Sequence, residues 1–275
     1  MAIILAVEHA SGQNSVGARR QCPQWEYIPA MNRLATLALI AAACASDMQN
    51  SAAPAGLGNG ILFVGNSLTY TEDLPGLVAG LASAVGRPLQ TSMIARPGYS
   101  LEDHWNQGDA LRSIDRGGWS VVVLQQGPSS LEESRVLLRR DTARFDQRVR
   151  AAGARTALFS VWPESSRQSA FLAVAESYAL AAADVGGIYF PVTQAWLNAW
   201  ERDPSLPLYS ADGFHPGAHG SYLAAVVIAA VLTGARPESM PARVVRPDGT
   251  ALSVPADAAT VLQSAAAAAL AGVAP

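Results

Sequence analysis

The sequence contains no lysine, so all 19 of its Lys/Arg-type cations are arginine. That absence removes chemistry. A Walker A phosphate loop, a Schiff-base or pyridoxal enzyme, a kinase-type catalytic lysine and a Ser-Lys dyad each need a lysine, and none can be built here. Cysteine is almost as scarce. Cys22 and Cys44 both precede the first convincing strand, which leaves the domain after them without a disulfide, a thiol nucleophile or a cysteine metal ligand. With only His9, His104, His215 and His219 available, a histidine-rich zinc site is also disfavoured. The formal net charge of -3 gives no reason to expect a nucleic-acid partner. Nothing in the residues calls for a metal or an organic cofactor.

What is present is a chain of 275 residues, 50% hydrophobic and 15% charged, long enough to bury one sizeable core. Met31-Asn32-Arg33 is followed by an apolar stretch from Leu34 to Ala43 and then by Cys44-Ala45-Ser46-Asp47. A basic start, a short apolar run and small residues before a cut site describe an export signal. The run is too short to span a bilayer as a stable helix. The small residues leading into Cys44 resemble a bacterial lipoprotein box, with Ala41 where leucine is usual; cleavage by ordinary signal peptidase is the competing version. The resulting organisation is an upstream extension at 1–30, an export leader at 31–44, a flexible Ala/Ser/Pro/Gly tether at 45–59 and a folded domain at 60–275. Such a protein is expected in the periplasm, or held at the cell envelope by lipid on Cys44.

From Gly60 onward, apolar runs alternate with helical patterns. Strands are predicted at Ile61–Val64, Leu89–Ala95, Trp119–Leu124, Thr156–Trp162 and Gly187–Val192, the third marked by the β-branched run Val121-Val122-Val123. Helices are predicted over 74–85, 131–152, 168–183, 196–200, 220–232 and 256–271, with a helix or loose helical turns over 101–114 and a hairpin over 244–254 turning at Pro247-Asp248-Gly249. Continuously apolar strands separated by helices indicate a parallel sheet covered on both faces. Ligands then bind beyond the carboxyl ends of the strands, where Ser67, Gly98 and Gln125-Gln126 each fall.

Two short segments carry the chemistry. Gly65-Asn66-Ser67-Leu68-Thr69 follows the first strand, so Ser67 stands at the rim with its backbone amide near the start of a turn. A Gly-Asn-Ser segment is more often a plain turn or helix cap. The second segment, Asp212-Gly213-Phe214-His215-Pro216, changes those odds. A carboxylate three residues before a histidine in a loop can accept from one ring nitrogen and leave the other to take the Ser67 proton. His219 is a rival base, but it lies at a helix start without an acid at that spacing, so packing or capping suits it better. Ser100, in Gly98-Tyr99-Ser100-Leu101, opens a helix and reads as its cap.

In order and content, these segments resemble the SGNH, or GDSL-type, serine hydrolases over roughly Ile61 to Leu232. The first block is Gly65-Asn66-Ser67-Leu68 with asparagine in place of the usual aspartate; the second is represented by Gly98 and the fifth by Asp212-Gly213-Phe214-His215. The resemblance implies the flavodoxin-like α/β fold of that family, a three-layer α/β/α sandwich around a mainly parallel five-stranded sheet. It also implies a catalytic Ser67, His215 and Asp212, with the amides of Ser67 and Gly98 in the oxyanion hole. The third block departs from the family's Gly-x-Asn-Asp: the chain has Leu124-Gln125-Gln126-Gly127-Pro128. Sialate-acetylesterase-like and related carbohydrate esterases are similar in placing glutamine there. Gln126 is the first choice for a side-chain oxyanion donor and Gln125 the alternative, since neighbouring strand residues face opposite ways.

The expected activity is hydrolysis of short-chain or acetyl esters through an acyl-enzyme. Tyr70, Tyr99, Trp105, Trp162 and Tyr209 fall near predicted rim loops, where aromatic faces could stack on a sugar; ordinary packing explains each ring singly as well. The expected partner is a small-molecule or glycan ester. Two other readings keep the fold: a cell-envelope O-acyltransferase with a sugar hydroxyl as acceptor, and a glycan-binding lipoprotein without catalysis.

Overall fold

The computed structural model describes residues 59–272, so the leader, the tether and Cys44 lie outside the described residues. Ile61-Leu62-Phe63-Val64 has no polar side chain to offer water, and this run forms the centre of β1 (Gly60–Gly65) with every residue buried. A strand buried on both faces must pair on both edges, and β1 does. It runs parallel to β2 (Gln90–Ala95) on one side and to β3 (Val121–Leu124) on the other. β4 (Arg155–Phe159) and β5 (Ile188–Phe190) extend the sheet, giving the order β2-β1-β3-β4-β5, all parallel. Chain direction across the sheet therefore reverses beside β1, and such a switch point opens a crevice at the strand carboxyl ends.

Helices cover both faces. On one, α1 (Ser67–Tyr70) leads through a 3₁₀ turn to α2 (Leu74–Ala84), which packs on α8 (Ala218–Thr233). α8 in turn packs on α9 (Ala256–Ala271), and α9 on α7 (Val192–Arg202). On the other face α3 (Leu101–Gln107) and α4 (Asp109–Asp115) pack on α5 (Glu132–Ala151), and α5 packs on α6 (Phe171–Asp184). A small antiparallel pair, β6 (Arg243–Val245) and β7 (Ala251–Ser253), rests against α2 and α8. The result is the three-layer α/β/α sandwich expected from the sequence.

Expected bounds need correction at several elements: the fifth strand ends at Phe190, and Val192 belongs to α7, which spans Val192–Arg202 rather than 196–200. The helical stretch over 101–114 is two helices, because Gly108 takes φ +81°, a left-handed conformation that ends α3 and restarts the chain as α4. The fourth strand ends at Phe159, and Trp162 lies past it in the loop. The last helix, Ala256–Ala271, has the expected bounds.

Candidate active site

Gly65 ends β1, and the next residue turns the chain into α1. Asn66 is the helix cap: its Oδ1 accepts from Leu68 N at 3.1 Å. With the capping role taken by Asn66, the Ser67 hydroxyl is left out of the local network. Gly65 cannot be larger, since a Cβ there would overlap Thr69 Oγ1 and Gln125 Oε1. That crowding comes from two side chains bonded to each other, Thr69 and Gln125. Gln125, fully buried at the end of β3, accepts from Asn66 N at 2.8 Å and Thr69 Oγ1 at 2.7 Å, and donates to Asn66 Oδ1 at 2.9 Å and Gln126 O at 2.5 Å. Both ends of its amide are committed to holding the turn that carries Ser67.

The second rim segment follows β2. Gly98 adopts φ +70°, a conformation costly for any residue with a Cβ, and Ser100 caps α3 in a reciprocal capping box with Asp103. This segment is tied to the first, because Asn66 Nδ2 donates to Tyr99 O at 3.0 Å. Among the described residues, neither the Ser67 nor the Gly98 amide hydrogen is taken by a protein acceptor. Both residues line one cavity of about 410 Å³, and Gln126 lines it with them. Leu101 N–H donates to Gln126 Oε1 at 3.2 Å, which turns Nε2 toward Ser129 Oγ at 2.9 Å. One of the two Nε2 hydrogens is so accounted for and the other remains. The backbone of Gln126 is pinned by Tyr178, whose buried hydroxyl donates to Gln126 O at 2.5 Å and accepts from Gln126 N at 3.1 Å. Burial pushes the Tyr178 phenol far above its ordinary range, so it stays a neutral donor.

The third segment is the loop between α7 and α8. Asp212 Oδ2 lies 2.6 Å from His215 Nδ1. Its other oxygen accepts from Ser210 Oγ at 2.7 Å and from the amides of Phe214 and His215, each at 2.9 Å. The imidazole, these two amides and the Ser210 hydroxyl hold the Asp212 carboxyl well below the usual carboxylate range. An ionised acceptor at Nδ1 fixes the proton on that nitrogen and leaves the Nε2 lone pair available. The loop itself is strapped down. Trp162 Nε1 donates to Phe214 O at 3.0 Å, Tyr209 bridges Pro216, and Tyr209 Oη donates to Pro163 O at 2.5 Å. Gly213 at φ +68° passes so close to Ser165 that a Cβ would come within 2.5 Å of its Oγ. Phe214, the neighbour of His215, lines the same cavity as Ser67. No hydrogen bond joins the Ser67 hydroxyl to the His215 imidazole among the described residues.

The structure thus brings Ser67, Gly98 and Gln126 to one cavity, which the Asp212–His215 loop reaches through Phe214 and not through Asp212 or His215 themselves, while Gln125 is bonded to the turn and does not line it. Of the five rim aromatics, only Tyr99 lines that cavity. Trp162 is fully buried and stacked on Trp196 at 4.0 Å, and Tyr209 packs on Trp196 and Trp200. Trp105 packs edge-on against Phe145 beneath the Arg144 guanidinium. Tyr70 is exposed. Trp162, Tyr209 and Trp105 each have ring partners of their own that take them out of the cavity. His219 sits in the first turn of α8, half-buried, in keeping with packing rather than base catalysis. Sequence reasoning passed over His104 and Tyr178, whose side-chain hydrogen bonds reach residues remote in the chain, and Ser129, which bonds locally to Gln126 and Gly127.

No family model matches the sequence, and no curated protein matches it. Solved structures do. A protein from Slackia heliotrinireducens described as a candidate SGNH hydrolase is 28% identical, with a TM-score of 0.52 over 62% of this chain and 96% of its own. A DUF4886 family protein from Bacteroides uniformis is 18% identical, with a TM-score of 0.60 over 78% of this chain and 95% of its own. A lipase/acylhydrolase from Enterococcus faecalis is 16% identical, with a TM-score of 0.53 over 64% and 95%. The chain has the fold of the SGNH/GDSL hydrolases.

Proposed function

We propose that the chain is a serine ester hydrolase acting through an acyl-enzyme on Ser67. One observation carries the reading. An acid-base pair, Asp212 and His215, is already oriented at 2.6 Å, and Phe214 between them lines the same cavity as Ser67 and Gly98, whose amides have no protein acceptor among the described residues. Esters need those groups in that combination.

The Ser67 hydroxyl attacks the ester carbonyl while His215 Nε2 takes its proton, and the Ser67–His215 hydrogen bond closes as substrate enters. Such bonds are commonly long in an empty site. The carbonyl oxygen, now carrying charge, is received by the amides of Ser67 and Gly98 and by Gln126 Nε2. The imidazolium, steadied by ionised Asp212, returns its proton to the departing alcohol. Water then attacks the acyl-enzyme with His215 again as base, and carboxylic acid leaves.

The substrate we favour is a short acyl ester, acetyl above all, of a hydroxyl-rich alcohol such as a glycan. The cavity supports this in size and lining. About 410 Å³ suits an acetyl group and one ring. Leu137, Pro128 and Phe214 offer apolar surface, while Ser100, Ser134 and Glu102 offer partners to hydroxyls. Residues 31–44 add a second proposal, that the enzyme acts outside the cytoplasm, lipidated at Cys44 or cut nearby. N-terminal sequencing of the mature protein tests it; a chain beginning at Met1 overturns it. The activity is tested with p-nitrophenyl acetate and acetylated sugars. Turnover abolished in Ser67→Ala supports it, and wild-type turnover in that variant refutes it.

A further inference from the structure

Beneath the candidate nucleophile lies a histidine that the chemistry above does not use. His104, on α3, is fully buried, and its Nε2 is 2.7 Å from the carbonyl oxygen of Gly65. A carbonyl can only accept, so the proton is on Nε2 and the ring is the Nε2–H tautomer. Nδ1 is then a bare lone pair, and it has no partner among the described residues.

Packing gives no reason for an imidazole in this place. Leucine or phenylalanine would fill the space without burying an orphaned nitrogen. Nor does Gly65 need the donor, because its carbonyl already accepts from Arg96 N at 3.1 Å. What the second bond adds is geometry. Gly65 lies two residues before Ser67, and the Arg96–Tyr99 turn, closed by Tyr99 N donating to Arg96 O at 3.3 Å, contains Gly98. Three ties therefore join the two turns: Arg96 N to Gly65 O, Asn66 Nδ2 to Tyr99 O, and His104 Nε2 to Gly65 O. The His104 ring also stands edge-on to Tyr99, with centroids 5.1 Å apart. The histidine touches both sides of the gap between the Ser67 and Gly98 amides.

We infer that His104 is a positioning residue that sets the separation of the two oxyanion amides by anchoring the Gly65 carbonyl to α3. The inference rests on the esterase reading and adds a residue to it. Its removal lets the Ser67 turn drift relative to Gly98, and misplacement of that kind costs on the order of 10²-fold in rate. Substrate affinity, set by the outer cavity, stays the same.

The test uses the folded protein with a fluorophosphonate probe and p-nitrophenyl acetate. His104→Phe keeps the volume and loses the donor. His104→Gln puts an amide N–H near where Nε2 stands, whereas His104→Asn has the same polarity but falls short of Gly65. The expected result is a roughly 10²-fold loss of kcat per labelled site, and of labelling rate, in the Phe and Asn variants, with KM unchanged and rates restored in Gln. A purely structural role would lower the fraction of labelled protein and leave the rate per labelled site intact, which overturns the inference. Should His104→Phe not fold, equal rates per site in Gln and Asn overturn it. A wild type that takes no label at all overturns the esterase reading and this inference together; a labelled wild type matched by His104→Phe overturns this inference alone.

Discussion

Asp212 spends one carboxylate oxygen on its own loop and the other on His215. Oδ1 accepts three hydrogen bonds from Ser210, Phe214 and His215, and Oδ2 reaches the imidazole Nδ1 at 2.6 Å. The loop bonds fix the carboxylate, and the carboxylate fixes the ring. Asp212→Asn keeps the shape but allows the amide to donate to Nδ1, which favours the wrong tautomer. Turnover is expected to fall by about 10⁴ with little change in KM, the scale seen for the same replacement in other triads. Steady-state kinetics on p-nitrophenyl acetate check it.

The same carboxylate sets a pH expectation. Its pKa is depressed by the imidazole bond first and the loop donors next, so Asp212 stays ionised throughout the mildly acidic range. Stability linked to it is present above the unfolded-state value of about 4 and is lost only as pH falls well below that. The acid limb of kcat/KM should therefore have unit slope down to about pH 4. A slope of two above that pH would show that Asp212 gains a proton there.

The two glutamines should separate by readout. Gln126→Ala removes the proposed side-chain oxyanion donor and should lower kcat on the order of 10²–10³. Gln125→Ala strands Asn66 N–H and the Thr69 hydroxyl in the interior, while Gln126 O keeps its bond from Tyr178. Its first effect should be on stability, about 2 kcal/mol or more, read by urea denaturation.

Trp162→Phe keeps an aromatic face on Trp196 but removes the N–H that holds Phe214 O. The expected cost is about 1 kcal/mol of stability, together with a drop in kcat as the His215 loop loosens. Denaturant melts and kinetics on one preparation measure both.

Burial lowers the His104 pKa, with a smaller contribution from Arg96, while the Gly65 bond, Asp103 and Asp109 oppose the shift. The unfolded chain then takes up a proton before the folded one does. Stability from the neutral ring is full above the unfolded value of about 6.5 and declines as pH falls below it. His104→Phe should flatten that decline, and unfolding free energies at pH 7.5 and 5.5 would show it.

How legible these features were in the sequence depended on their range. β1 and β3 were readable because parallel strands covered on both faces need unbroken apolar runs, and Ile61–Val64 and Val121–Leu124 supply them. The break at Gly108 was not, since apolar spacing continues on both sides of it and one residue's φ decides the matter. The Asp212–His215 pair was legible from a three-residue spacing. The division of labour between Gln125 and Gln126 was not, because it depends on Asn66, Thr69 and Leu101, each remote in the chain. Trp162 and Tyr209 could be read as sugar platforms or as packed rings; in three dimensions Trp196 stacks on Trp162 and meets Tyr209 edge-on, so packing is their role.

The most direct measurement of the central claim is peptide mapping by mass spectrometry after reaction with a fluorophosphonate. One adduct is expected, on Ser67, at near-unit stoichiometry, with labelling lost in His215→Ala. An adduct on Ser100 or Ser129 instead, or labelling indifferent to His215, would contradict it.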